Sequence, residues 1–314
     1  MKKIPLIAVV GPTASGKTKL AVDIAKEFDF EIISFDSMQV YKEIGISTAK
    51  PTVDEMQGIP HHLIDCLSVD ESFSVADFCS LASQKVKEIE NKGKTPLFVG
   101  GTGLYIDSFV NNVDFSSPNK NDEIREKIDK IEQEKGSDYL YELLKEVDFK
   151  AAQTVHKNNV KRVKRALEIF YCTGINKTEQ DKIAIENESP YKCLYLGLNF
   201  KLRENLYNRI NLRVQKMLEN GLLEEAKNFF ENKNSKTSAQ AIGIKELKPY
   251  FDGEKSLDEC VEKIKQESRR YAKRQITWFK RNDKINWFYP DEQDYDIIKQ
   301  ECFKLISNFL KEEY

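Results

Sequence analysis

Gly11, Pro12, Thr13, Ala14, Ser15, Gly16, Lys17 and Thr18 fit the pattern G-x-x-x-x-G-K-[ST] directly after the apolar run IPLIAVV. Gly11 and Gly16 allow backbone N–H groups to turn inward around phosphate oxygens. Lys17 reaches an outer phosphate, and the Thr18 hydroxyl suits Mg²⁺. The pattern identifies a phosphate without saying which bond to it breaks. A second chemical stretch, FDSMQVYKEIGISTAKP, gathers Asp36, Ser37, Gln39, Tyr41, Thr48 and Lys50 behind the run EIIS. Asp36 has two readings. It is a turn or helix-cap carboxylate, the commoner fate of aspartate before serine, or it faces the phosphates and orients or deprotonates a nucleophile.

These residues need elements to position them. LIAVV has the unbroken apolarity of a parallel strand buried on both faces. KLAVDIAKEF follows with helical spacing, Leu20, Ile24 and Phe28 on one stripe. EIISFDS and TPLFVGGTG are strand-like and end in polar or glycine-rich turns. Strands alternating with helices predict an α/β fold, a phosphate-loop parallel sheet flanked by helices, whose ligands gather at the carboxyl ends of the strands. Gly11–Thr18, Asp36 and Gly100–Thr102 all fall at such ends.

From about Ser116 the pattern turns helical and charged, through NKNDEIREKIDKIEQEKG, DYLYELLKEVD and NNVKRVKRALEIFYCTG, until YKCLYLGLNF returns to strand. The expected organisation is a catalytic core of residues 1–114 and 197–314 with a helical domain inserted at 115–196. A chain of 314 residues with 40% hydrophobic content can bury a sizeable core, and a net charge of −2 announces no global field for nucleic acid. Six cysteines without a C-x-x-C pair fit reduced thiols in the cytoplasm, and no segment reaches membrane-spanning length.

Local charge makes the case that net charge does not. Lys157, Lys161, Arg162, Lys164 and Arg165 run without an acid among them, with Val160, Val163 and Leu167 as an apolar stripe. Arg269, Arg270, Lys273, Arg274, Lys280 and Arg281 do the same beside Tyr271, Trp278 and Phe279. Such a run is ordinarily a solvated face; two in a nearly neutral chain favour a track along an RNA backbone. His61 and His62 lack a third ligand and read as structural or substrate-lining. Asp65 reads as a turn residue before it reads as a magnesium-side carboxylate.

GPTASGKT, DSMQVYK, TAKPT, PHHLID, FSVADF, GGTGLY, RALEIFYCTG, QAIGIKEL and AKRQITWFKR occur in the order and approximate spacing of the tRNA dimethylallyltransferases, from about residue 6 to residue 281. The resemblance is to the bacterial form, since no zinc finger of the eukaryotic cytosolic kind follows. It implies that the loop holds the diphosphate of dimethylallyl diphosphate with Mg²⁺, and that the prenyl group passes to N6 of the adenosine 3′-adjacent to the anticodon in tRNA, flipped out of its stack. It also implies that Asp36, Thr102 and Arg213 are catalytic, Arg213 being favoured over Arg209 in RINLRVQKML. Asp36, Ser37, Met38 and Gln39 would meet the anticodon stem-loop, as would Lys161, Arg162, Val163, Lys164 and Arg165. The expected enzyme is a cytoplasmic monomer without a membrane partner. Three positions depart from the family pattern: Lys157 stands where proline is usual, Asn159 where aspartate is usual, and Ile244 where tyrosine is common. The rival enzyme is a nucleotide or small-metabolite kinase, which shares the loop and Mg²⁺. A non-catalytic RNA-binding protein with a structural anion site is a third reading.

Overall fold

The structure, a computed structural model, describes residues 3–113, 121–186, 189–232 and 234–312. In chain order the elements are β1 (Ile4–Val10), α1 (Lys17–Phe28), β2 (Glu31–Ser34), α2 (Val53–Met56), β3 (His61–His62), α3 (Val75–Asn91), β4 (Pro96–Gly100) and α4 (Gly103–Val110). Then come α5 (Asp122–Val147), α6 (Phe149–Thr154), α7 (Val160–Thr173) and α8 (Lys177–Glu186). β5 (Tyr191–Leu198), α9 (Arg203–Glu219), α10 (Leu222–Glu231), α11 (Lys248–Phe251), α12 (Leu257–Phe279), β6 (Ile285–Phe288) and α13 (Tyr295–Lys311) complete the chain. The chain divides into two compact units, Met1–Phe109 with Tyr191–Tyr314, and Val110–Pro190. The expected boundary at 114/115 lies outside the described residues. At the other end, Tyr191–Leu198 is a strand of the sheet, so residues 191–196 belong with the α/β unit rather than with the insertion.

The α/β unit is built on one six-stranded sheet of order β3-β2-β4-β1-β5-β6, every pairing parallel. β1 is central, paired with β4 on one side and β5 on the other, and Leu6 to Val10 are fully buried. That is the physical reason for its unbroken apolarity. Alternate residues serve opposite faces. Ile7 and Val9 join Leu20 and Ile24 of α1 and Ile298 and Ile306 of α13 in one core layer. From β4, Phe98 packs against Phe109 of α4, ring centroids 5.0 Å apart, while Phe78 of α3 stacks on Tyr105. Because the strands are parallel, the carboxyl ends of β1, β2 and β4 share one edge, from which the turns bearing Lys17, Asp36 and Thr102 emerge.

The smaller unit is helical around Ile128, Leu140, Leu144, Val163, Ala166 and Leu167. The two charged helical patterns expected before residue 148 join in α5 across a kink at Gly136 (φ 83°, ψ 168°), a backbone position only glycine adopts readily. α7 ends on Gly174 in the left-handed conformation. Among the described residues, no helix is long and apolar enough to cross a membrane.

Candidate active site

The loop after β1 is closed by its own geometry. Gly11 has φ 145°, and a Cβ there would stand 2.2 Å from the Leu198 carbonyl oxygen, so a side chain would push the loop off β5. Gly16 (φ 97°) provides the left-handed turn into α1. Gly11 and Pro12 form the buried base of the loop, and residues Thr13 to Thr18 line a cavity of about 1090 Å³. Ser15 is 2% exposed, and its Oγ has no hydrogen-bond partner among the described residues. A buried hydroxyl left unpaired is costly unless a ligand completes it.

Two cations meet at this cavity. Lys17 Nζ donates to the Pro12 carbonyl at 2.6 Å. Arg213, from α9, donates through Nη1 to Thr13 Oγ1 at 2.7 Å and through Nη2 to the Ala49 carbonyl at 3.2 Å. Burial, then the neighbouring Arg213 charge, pushes the Lys17 ammonium down from 10.5 to about 7, against a smaller upward pull from Asp36. Burial likewise lowers Arg213, opposed by Asp36 and Glu55. Two desolvated cations, one of which lowers the other's proton affinity, make a site that gains when an anion enters.

Four residues before Arg213, on the same face of α9, Arg209 donates through Nε to the Ala14 carbonyl at 2.9 Å. Ala14 (φ 63°) and Ala49 (φ 44°) are both left-handed non-glycine residues, strained conformations that need outside support. Each therefore has its carbonyl held by an arginine of α9. The family resemblance favours Arg213 over Arg209; the structure brings both to the loops. Glu225 of α10 fixes the same second loop, accepting from the Ile46 and Ser47 N–H groups at 2.7 and 2.9 Å. Sequence reasoning passed over Glu225, which sits in an ordinary amphipathic helix.

Asp36 lines the cavity with Ser37, Met38 and Gln39. Its Oδ1 accepts the Met38 N–H at 2.9 Å, a local turn closed by the side chain. The turn reading is thus correct for one carboxylate oxygen, while the residue still faces the cavity. Gln39 Nε2 lies 3.4 and 3.3 Å from the Thr48 and Ala49 carbonyls. Thr102 is not among the cavity-lining residues. Its Oγ1 accepts the Ser37 N–H at 3.2 Å, and it neighbours the Tyr271 phenol, which burial first and Asp36 second push up to about 12.

Residues of α12 pack against the glycines after β4. A Cβ on Gly103 would stand 2.1 Å from Trp278 Cδ1, and one on Gly101 would stand 2.0 Å from Gln275 Nε2. Segments GGTGLY and AKRQITWFKR therefore interlock. Trp278 Nε1 donates to Asp107 Oδ2 at 2.6 Å, and Arg281 lies 4.0 Å over the Trp278 ring. Arg269 donates to Asn211 Oδ1 at 2.6 Å and Arg270 pairs with Glu267 at 2.7 Å, leaving Lys273 and Arg274 exposed.

The first basic run, in the smaller unit, is more mixed than its sequence suggests. Lys164 pairs with Asp129 at 2.6 Å and with Glu132, both from α5. Arg165 pairs with Glu168 at 2.8 Å, which also accepts Arg125 at 2.6 Å. Val163 is 1% exposed and belongs to the core, so it presents nothing to a partner. Lys161 and Arg162 are exposed and carry no ion pair among the described residues.

The histidines are held by the protein. His62 Nε2 lies 2.8 Å from Glu31 Oε2, which also accepts Lys92 at 2.9 Å, and His61 Nδ1 lies 2.8 Å from the Ile59 carbonyl. Asp65 pairs with Lys50. Of the departures, Ile244 is fully buried, Lys157 stands 3.6 Å from Asp138, and Asn159 precedes α7 without capping it through its side chain.

A family model described as IPP transferase matches residues 39–282. The tRNA dimethylallyltransferase of Caldanaerobacter subterraneus is 47% identical over 312 residues, 98% of this chain and 99% of that protein. The chain belongs to the tRNA dimethylallyltransferase family. The tRNA dimethylallyltransferase of Bacillus subtilis is 44% identical over 311 residues, 98% of each chain. Among solved structures, the full-length tRNA isopentenylpyrophosphate transferase of Bacillus halodurans superposes with a TM-score of 0.74 at 42% identity, covering 98% of this chain and 97% of that one. A eukaryotic dimethylallyltransferase acting on tRNA gives 0.82 at 31% identity, covering 97% and 79%. The matched model begins at residue 39, after the phosphate loop and Asp36, so the segments that place the chain in this family extend well beyond the phosphate-binding signature.

Proposed function

We propose that the chain transfers a dimethylallyl group from dimethylallyl diphosphate to N6 of the adenosine 3′-adjacent to the anticodon in tRNA, releasing diphosphate. The observation that carries this reading is the composition of one cavity, in which Lys17, Arg213 and the unpaired Ser15 hydroxyl face the same space as the Asp36 carboxylate. A cationic cradle beside a carboxylate suits a reaction in which an anion leaves and a neutral amine attacks. The names of the relatives favour the same chemistry.

In this reading the allylic C–O bond breaks as the N6–C bond forms. Lys17, the loop N–H groups from Ala14 to Thr18 and Arg213 take up the charge that develops on the departing diphosphate, electrostatic preorganisation aimed at the leaving group. Asp36 accepts a hydrogen bond from the adenine amine, holds its nitrogen in line with the allylic carbon, and receives the proton as charge builds on nitrogen. Thr102, beside Ser37, orients the acceptor side. The site fits Mg²⁺, because the Thr18 hydroxyl lines one cavity with the phosphate cradle and hard oxygen ligands are what this ion takes. Bound there, the ion would neutralise diphosphate oxygens. Lys161 and Arg162 would contact tRNA phosphates, with Lys164 and Arg165 contributing less because acids already hold them. The enzyme would work as a cytoplasmic monomer.

Incubation with labelled dimethylallyl diphosphate or γ-labelled ATP, each with and without tRNA, tests the proposal. Label should enter tRNA from dimethylallyl diphosphate alone. Phosphoryl transfer from ATP to a small acceptor would favour a kinase instead, and tRNA binding without any transfer would leave a binding protein.

A further inference from the structure

Gln275 follows the exposed Lys273 and Arg274 in the basic run of α12, yet it is only 4% exposed. A buried amide needs partners for both ends. Its Oε1 accepts the Thr13 N–H at 2.9 Å, and its Nε2 donates to the Gly101 carbonyl at 3.1 Å. Thr13 belongs to the phosphate loop; Gly101 immediately precedes Thr102. One side chain therefore spans the two turns that carry the leaving-group cradle and the acceptor side.

The surroundings make this bridge rigid. The clash that any Cβ on Gly101 would make with Nε2 shows that glycine is what lets α12 approach this closely, and that same Cβ would lie 3.3 Å from the Gly11 carbonyl. Thr13 has its hydroxyl taken by Arg213 as well as its N–H by Gln275. The Thr13 N–H is therefore spent on Gln275 instead of on a phosphate, which makes this residue an attachment point of the loop. Tyr271, one helical turn before Gln275, places its phenol beside both Gln275 and Thr102. The hydrogen-bonded path thus runs from the phosphate loop through Gln275 of α12 to Gly101, the residue before Thr102.

We propose that Gln275 is a positioning residue for prenyl transfer, which fixes the separation between the phosphate loop and the Gly101–Thr102 turn. This rests on the transfer reaction proposed above. A residue with this role governs the rate at which bound substrates react more than it governs donor binding, because the cradle atoms themselves stay in place while their alignment with the acceptor loosens.

Gln275→Met keeps length and volume but removes both hydrogen bonds. Gln275→Glu keeps an acceptor for Thr13 and, when ionised, cannot donate to Gly101. Two quantities are measured on the full chain: the single-turnover rate from dimethylallyl diphosphate with tRNA saturating, and the affinity for inorganic diphosphate without tRNA. For Gln275→Met the rate should fall about 10–100-fold, the scale of a small misplacement of reacting groups, while diphosphate affinity stays near that of the wild type. Gln275→Glu should lose less rate. A saturated rate matching the wild type in either variant would overturn the proposal, and so would a rate and a diphosphate affinity that fall in the same proportion. If Gln275→Met does not fold, Gln275→Glu decides by the same two measurements. A wild-type chain that transfers no prenyl group overturns the reaction itself, whereas an active wild type with unaffected variants overturns only the role of Gln275.

Discussion

The depressed Lys17 ammonium makes anion binding depend on pH. Without an anion, burial and Arg213 hold this group at about 7 instead of 10.5. Diphosphate brings negative charge against it and should restore the charged form. Binding then takes up a proton wherever the free enzyme has lost one, and affinity falls as pH rises through about 7. If the bound ammonium stays protonated beyond pH 9, the Lys17 contribution to the dissociation constant grows by about 90-fold between pH 6 and pH 9, from an unperturbed fraction near full protonation to about one per cent. Diphosphate titrates over the same range, so the informative quantity is the difference between the wild type and Lys17→Met. Calorimetry in buffers of differing ionisation enthalpy measures both the affinity and the protons exchanged. At pH 8 the wild type should take up nearly one proton more than the variant. Equal proton uptake and parallel pH profiles would refute the coupling of Lys17 to the anion.

Neutral replacement of Lys161 and Arg162 should weaken tRNA binding and lower the salt slope by about 0.7–0.9 for each phosphate no longer neutralised; replacing Lys164, which acids already hold, should change the slope less, and equal effects would undo that distinction. Gly101→Ala forces a methyl group against Gln275 Nε2 at 2.0 Å, so denaturant melts should show a loss of about 1–3 kcal/mol from overpacking together with slowed transfer, whereas wild-type stability would contradict the close approach of α12.

How far the sequence was legible depends on which scale set the property. The phosphate loop, the buried strands and the placement of Asp36 past β2 are local, written in glycine spacing and apolar runs, and they could be read directly. The strand Tyr191–Leu198 was recognised, yet the domain boundary expected at 196/197 fell inside it, because hydropathy marks a strand without saying which sheet receives it. Lys164 looked free because its acids, Asp129 and Glu132, lie on α5, far away in sequence. Val163 was grouped with the basic residues around it, though its apolar spacing already marked it as core. Gln275 and Glu225 were invisible for a related reason. Each is an ordinary polar residue on an amphipathic helix, and its role exists only through backbone groups that tertiary packing delivers to it. For Asp36 the sequence allows a turn residue or a functional carboxylate; in the structure the turn engages one oxygen while the residue faces the cavity.

The most direct test of the account is the transfer rate of Asp36→Asn, measured in a single turnover with dimethylallyl diphosphate and tRNA both saturating. Asparagine can still accept the Met38 N–H, so the turn, the fold and both affinities should survive. What it cannot do is receive the N6 proton, and the rate should fall by about 10²–10⁴, the range for a lost general base. A rate within a few-fold of the wild type would contradict the account, leaving Asp36 a turn residue and the proton in need of another acceptor.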